Sequence, residues 1–595
     1  MRFCLALVFS FGYAYAQLEV PPPQKGSVVV TGTALPIPLN EADRDVTELN
    51  LPASERPFFK SWFELLQLDS ALDLMQRAPG SQADLSIRGA TFGQTLVLLN
   101  GMRVNDAQSG HFNLDLPVPI EMISEIQVLQ GSGSTLYGSD AIGGVVDVRT
   151  HPISDGQLRL LTGVGNFGFN QEHAVGSFGL SRFHEELAVA RDFSTGFTQD
   201  RDYRDLTASS LSTLRSRLGT TSLLLAYSDR PFGANNFYGA LKPQWERAKN
   251  WFASAQQDVG ENTIVSFAYR KHTDLYVYLR DNPAYYTNRH ADQGWQGNVR
   301  RRDRLKVRGV ISYGVEGLAD SIDSNNLGHH SRGRGSGYVF YDLRSVKRYS
   351  ISAGIREEVY GSRKASSSPT LSGAAWLNTH LKLRASASRA FRVPTYTDLY
   401  YFSPTTLGNS NLRPETATNY EAGLDAHFTN HLRASATAFQ RRSSNGIDYV
   451  RATALEKYQA INFDKLRFTG VEVAATYQAR AEQQISIGFS ALHGVSATQD
   501  IRLSQYTFNY PVHNGFVEWR GQAGKHVIAR TRVGVVDRLG RTPYALWDAS
   551  TVFGSGRFRP FLQLTNISNT VYQNTPPIAE PTRQCIGGIE MHLSR

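Results

Sequence analysis

DLSIRGATFGQTLVLLNGMRVNDAQSGHFNLDLPVPIEMISEIQVLQGSGSTLYGSDAIGGVVDVRT, residues 84–150, reads as a compact α+β unit. Leu96 to Leu99 is a short, wholly apolar strand, and Asn100-Gly101 after it is the dipeptide that best tolerates positive φ in a hairpin turn. Ile120 to Ile126 carries apolar residues at helical spacing, and Ile126 to Leu129 then alternates as a strand does. Gly131-Ser132-Gly133-Ser134 and Gly138-Ser139-Asp140 supply tight turns. Gly143-Gly144 opens a last strand, Val145 to Val148, where the backbone must approach a neighbour closely. Upstream, Ser61 to Ala78 has Leu65, Leu68, Leu72 and Met75 on one helical face and stops at Pro79-Gly80, which predicts an amphipathic helix.

Beyond this unit the texture changes. Leu381 to Ser388, Leu432 to Phe439 and Val471 to Tyr477 alternate apolar with polar residues, giving one face for lipid and one for a wet lumen. Segments of this kind recur to the end of the chain, and at about twenty residues per strand and connection they predict about 22 strands. The chain has 595 residues, 41% apolar and 19% charged, and no window approaches eighteen apolar residues, so a spanning helix is excluded. A strand-built membrane protein is not excluded, because alternation averages to a hydrophilic chain. A soluble propeller would repeat near every forty residues, and no such period is visible.

Met1 to Ala16 has the charged start, apolar stretch and Ala-x-Ala ending of a secretory signal, and Cys4 lies within it. Only Cys585 would remain after cleavage, so no internal disulfide is expected. Residues 17–40 form a Pro-rich leader, within which Ser27 to Thr33 is a short β-prone run. The net charge of +9 is dispersed through alternating segments, which favours anionic ligands or lipopolysaccharide over nucleic acid.

Ile87-Arg88-Gly89, Leu98 to Val104 and Leu136-Tyr137-Gly138-Ser139-Asp140-Ala141-Ile142-Gly143-Gly144 resemble the plug domain of TonB-dependent outer-membrane receptors, and the last run most resembles the cobalamin branch. Ser388 to Tyr396, Asn411 to Thr416, Tyr420 to Leu424, Gly470 to Glu472 and Leu564 to Asn569 resemble the barrel of the same family. The resemblance implies an all-β transmembrane barrel with an N-terminal α+β plug inside its lumen, divided as signal 1–16, leader 17–40, plug 41–152 and barrel 153–595. It implies an outer-membrane, monomeric, non-enzymatic receptor that imports a scarce large ligand. Cobalamin or another corrinoid comes first, and a ferric siderophore or haem second. A passive porin and a non-transporting surface receptor remain as other classes. The final strand ends on Arg595 where the family generally closes with an aromatic residue.

The resemblance also assigns residues. Val28, Val29, Val30 and Thr31 match the TonB box, which would add as a strand to a periplasmic partner of the inner-membrane energising complex; an ordinary first plug strand is the other reading. Arg88 matches a plug arginine, and Glu421 and Glu472 match barrel acids that hold it; two solvated lumen carboxylates are the other reading. The second plug arginine is replaced by Gln130, which predicts an under-compensated acid with a raised pKa, or a substitute such as Arg300, Arg301 or another barrel cation. Asp106, His111, Phe112 and Asn113 on a polar plug loop are ligand candidates. So are Phe232, Asn235, Phe237 and Tyr238 within Pro231 to Trp245, and Tyr276, Tyr278 and Tyr285 within Leu275 to Tyr286, although many of these aromatics also suit an interfacial girdle. Asp192, Asp200, Asp202 and Asp205 lie where cobalamin receptors bind calcium, so a structural calcium is the one cofactor suggested. His329-His330 suits a solvated loop tip better than a metal site. Gly-x-Ser-x-Gly, His-Glu-x-x-His, paired cysteines and a P-loop are all missing, so no catalytic set is expected.

Overall fold

The computed structural model describes residues 28–29, 37–150, 156–238, 241–305, 309–346, 348–361, 364–428, 431–480, 483–496, 503–554 and 556–594. The proposed signal, most of the leader, and Val30 and Thr31 lie outside them. From Gln157–Gly165 to Gln584–Ser594 the strands pair antiparallel with their neighbours around a closed barrel of 22 spanning strands. Two short extracellular strands, Thr406–Leu407 and Leu503–Ser504, pair onto its rim. The first and last strands close the ring by pairing Leu158 with Leu593 through Gly165 with Ile586, so no sheet edge is left in lipid.

Alternation sets which face each residue takes. Val471 and Val473 are each 47% exposed toward lipid, while Glu472 between them is 8% exposed in the lumen. Ile485, Ile487 and Phe489 repeat the outward pattern, as do Leu383 against Lys382 and Arg384. A one-residue slip would put charges in hydrocarbon, so the register is strongly specified.

The lumen is filled by the N-terminal unit. Val46–Asn50, Ile123–Gln130, Gly144–Thr150, Thr95–Leu99 and Met102–Arg103 form a five-stranded sheet in that order, with Thr95–Leu99 parallel to Gly144–Thr150. Val97, Leu99, Ile126, Val128, Val146 and Val148 form its core. Asn100 and Gly101 take φ of 52° and 76°, the double left-handed turn anticipated for that dipeptide. Gly144 is required by a close approach, because a Cβ there would lie 2.3 Å from the Leu129 carbonyl.

Three local expectations are corrected. Ser61 to Ala78 is not one helix: Trp62–Leu68 is a 3-10 helix, and Leu72–Gln76 is a strand paired with Ala83–Ile87. Leu72 and Met75 are buried either way, so helical spacing over so short a span could not exclude a buried strand. At Ile120–Met122 only a 3-10 turn precedes the strand from Ile123. The two aromatic-rich loops are shorter than anticipated, since Thr220–Gly233, Trp245–Val259 and Thr263–Val277 take Pro231, Phe232, Trp245 and Tyr276 into strands that extend above the membrane.

Candidate functional site

The plug meets the barrel at a buried cluster of three guanidinium and three carboxylate groups. Arg88 follows the strand Ala83–Ile87 at φ 53°, a left-handed conformation that costs a non-glycine residue about 1–2 kcal/mol. Its guanidinium donates to Glu472 at 2.6 and 2.9 Å, to Glu421 at 2.8 Å, to Asp45 at 2.8 Å and to the Gln130 amide oxygen at 3.0 Å. It also lies 4.5 Å from the Phe439 ring centroid. Planar fork geometry suits this task, because each N–H meets a fixed acceptor.

The second guanidinium comes from a different place than the sequence pattern suggested. Arg44, just ahead of the first plug sheet strand, donates to Glu421 at 3.3 Å and to the Ser132 carbonyl at 2.8 Å. A barrel cation completes the set: Arg384 reaches Asp45 at 3.1 Å and Asp425 at 3.2 Å. Arg300 and Arg301 do not take part. Arg301 pairs with the exposed Asp303, and Arg300 lies 5.7 Å from the Tyr137 ring. Gln130 instead relays the cluster to Asp69 at 2.7 Å. Burial would raise the Asp45 carboxyl, but the Arg384 and Arg88 charges outweigh it and hold it below the usual carboxylate range.

Further plug acids meet barrel cations around the ring. Asp73 pairs with Arg538, Asp115 with Arg230, Glu121 with His173 at 2.6 Å and Glu55 with Arg520 at 2.8 Å. The Gly80 backbone sits so close to the Tyr203 ring that an added Cβ would fall 2.1 Å from it.

Above the sheet, the plug-loop candidates have mixed fates. Asp106 is buried, holds the Gln108 and Ser109 amides, and meets Arg270 and His272 of the wall. Phe112 lies beneath His272, and Asn113 bonds the Asp106 amide, so these three serve packing rather than presenting a free surface. His111 reaches the vestibule: it stacks on Phe92 at 4.1 Å, bonds Asp84 at 2.9 Å and lies 3.3 Å from the Tyr506 hydroxyl.

Phe232 and Phe237 are buried, and Asn235 is half-buried. Tyr238, Tyr276, Tyr278, Tyr285 and Tyr286 form one contiguous aromatic group with centroids 5.2–6.5 Å apart, and Tyr238 and Tyr285 are exposed. An extracellular segment reaches down to the plug, with the Tyr396 and Thr397 amides donating to the Ala107 and Gln108 carbonyls at 3.0 Å each.

The four aspartates suggested for calcium do not form one group, although Asp192 and Asp205 are direct cross-strand partners. Asp192 meets His173, Asp205 meets Arg230, Asp202 meets Arg280, and Asp200 stands apart at φ 54°. The antiparallel register sets opposite each other only the two that lie within strands; Asp200 and Asp202 belong to the connection between Phe183–Ser194 and Tyr203–Arg215. His329 pairs with exposed Asp323, and His330 stacks on Tyr400 at 3.7 Å. At the N-terminal end, Val28–Val29 pairs antiparallel with Ile37–Pro38.

A closed 22-strand barrel stoppered from inside by its own N-terminal domain defines a plugged outer-membrane receptor. Residues 40–145 match the TonB-dependent receptor plug domain and residues 152–572 match the TonB-dependent receptor-like β-barrel, so the chain belongs to the TonB-dependent receptor family. It is 25% identical to the vitamin B12 transporter BtuB of Photobacterium profundum over 447 residues, covering 70% of this chain and 72% of that one. It is 24% identical over 556 residues to an iron-regulated outer membrane virulence protein of Vibrio cholerae, covering 85% and 80%. The siderophore receptor PirA of Acinetobacter baumannii superposes with a TM-score of 0.75 at 13% identity, covering 92% of this chain and 98% of that one. The family is one of outer-membrane transporters and receptors rather than enzymes.

Proposed function

We propose that this protein imports cobalamin or another corrinoid across the outer membrane by energised rearrangement of its plug. The carrying observation is the buried ion cluster that ties Arg88 and Arg44 of the plug to Glu421 and Glu472 of the wall. Such a cluster holds the channel shut yet can be broken as a unit, since losing one partner leaves the others buried and unpaired. The periplasmic TonB domain would pair with the Val28 to Thr31 strand and pull. The exposed Tyr238 and Tyr285, with His111 and Tyr506, offer broad aromatic area for a large ligand. The corrinoid assignment draws on the Leu136 to Gly144 run and on the vitamin B12 transporter relatives.

A ferric siderophore is the second reading, favoured by the iron-regulated relative and by the siderophore-receptor fold match. Equilibrium binding of cyanocobalamin, a ferric catecholate and haem to purified protein ranks the ligands. Uptake of radiolabelled ligand by cells, with and without deletion of Ser27 to Thr33, tests the mechanism. Import that survives the deletion marks a passive porin, and binding without import marks a surface receptor; either overturns the proposal.

A further inference from the structure

Two adjacent lumen-facing strands carry the same short pattern at the same height. His272-Thr273-Asp274 lies on Thr263–Val277 and His290-Ala291-Asp292 on Thr287–Leu305, and the register sets His272 opposite Asp292 and Asp274 opposite His290. All four side chains are buried, and His272 is fully enclosed. The plug contributes a fifth group, because Asp106 projects against this ladder. The His272 Nδ1 lies 2.7 Å from the Asp106 Oδ2 and 3.1 Å from the Asp292 Oδ1. These three ligand atoms lie within 4.8 Å of one another, the one such group of histidine, cysteine and acid side chains among the described residues.

From this geometry we infer that Asp106, His272 and Asp292 bind a first-row divalent transition-metal ion, which joins the plug loop to the barrel wall. One imidazole nitrogen and two carboxylate oxygens form a donor set suited to zinc, cobalt or copper rather than to calcium or magnesium, which take oxygen ligands. Ligand bonds of about 2.0–2.2 Å require donors roughly 3.3 Å apart, so the 2.7 Å contact of His272 with Asp106 has to open by about 0.6 Å and the 3.1 Å contact with Asp292 by about 0.2 Å. The ion takes the place of the imidazole proton at Nδ1.

A second observation points the same way. Asp274, one rung above, is 6% exposed; one of its oxygens takes the Gln108 amide at 2.9 Å and the other has no hydrogen-bond partner. A buried carboxylate in that state favours an added cation nearby. A cavity of about 60 Å³ between plug and wall is lined by Asp106, Arg270, Asp292 and Gln296, leaving room for water as a further ligand. Arg270 is the competitor. It donates to Asp106 at 2.8 Å and to Asp292 at 3.3 Å, so without metal the group is a closed ion quartet.

The test is metal binding by purified full-length protein stripped with a chelator, independent of any cargo. Cobalt(II) added to the wild type is expected to bind one equivalent with visible ligand-field bands, which zinc then displaces. His272→Gln and Asp292→Asn should each weaken binding by about tenfold or more. His513→Gln, which breaks an exposed His–Asp pair on the rim, should leave it unchanged. Heat-modifiable migration of each variant establishes that the barrel is folded. Wild-type protein that takes up no cobalt, or variants that bind it as the wild type does, overturn the site and leave the ion quartet. Corrinoid uptake can fail or succeed without altering this result.

Discussion

Replacing Arg88 by alanine removes the centre of the plug–barrel cluster. Three guanidiniums now face three carboxylates: Arg44, Arg88 and Arg384 against Asp45, Glu421 and Glu472. Without Arg88, Glu472 loses its guanidinium partner while staying 8% exposed, and Glu421 keeps the 3.3 Å contact with Arg44 and the Ser386 hydroxyl at 2.7 Å. Removing one partner of a buried ion set costs about 3–5 kcal/mol. The barrel ladder does not depend on this residue, so the loss falls on plug docking. At about 1.4 kcal/mol per decade, amide exchange in the strand Ala83–Ile87 and in Met102–Arg103 should quicken by roughly two to four powers of ten. The backbone gives an internal control. Arg88 sits at φ 53°, so Arg88→Gly should recover about 1 kcal/mol of the deficit that Arg88→Ala shows. Hydrogen–deuterium exchange read by mass spectrometry on detergent-purified protein measures both. Plug protection within threefold of the wild type in Arg88→Ala, with the barrel folded, would refute the view that this cluster seats the plug.

Other outcomes follow from the same structure. Deleting residues 27–33 should abolish energised uptake while leaving ligand affinity unchanged, measured by transport and binding in parallel. Gly80→Ala should weaken plug seating, because its Cβ would meet the Tyr203 ring at 2.1 Å and its φ is 72°; limited proteolysis of the plug reads this. Tyr285→Ala, at a residue 67% exposed, should change stability by no more than about 0.5 kcal/mol but reduce ligand affinity, which calorimetry separates from melting. Burial raises the Glu580 carboxyl of the last extracellular loop to about 8, against the weaker opposing pull of Arg201. The folded loop therefore keeps a proton that the unfolded chain releases above its ordinary value of 4.5. That contribution is complete below the unfolded value and is lost as pH rises toward about 8, so the loop should become more protease-sensitive across this range, and Glu580→Gln should flatten the profile.

The sequence by itself determined the architecture. Alternation alone separates lipid-facing Val471 and Val473 from lumen-facing Glu472, because a strand has only two faces and hydrocarbon tolerates one kind of side chain. Asn100-Gly101 and Gly143-Gly144 were legible because few residues tolerate the turn conformation or the close approach. Arg88, Glu421 and Glu472 carry local motif context, and the structure brings them together. Arg44, Asp45 and Arg384 carry no such context, and their partners lie up to 392 positions away, so nothing in spacing could reveal them. The same holds for Asp106 with His272 and Asp292. Each strand shows its own His-x-Asp, but only the barrel register and the seating of the plug make one group of them. Periodicity encodes which way a side chain faces; which distant side chain it meets depends on closure of the barrel around the plug, a long-range outcome that no short window contains.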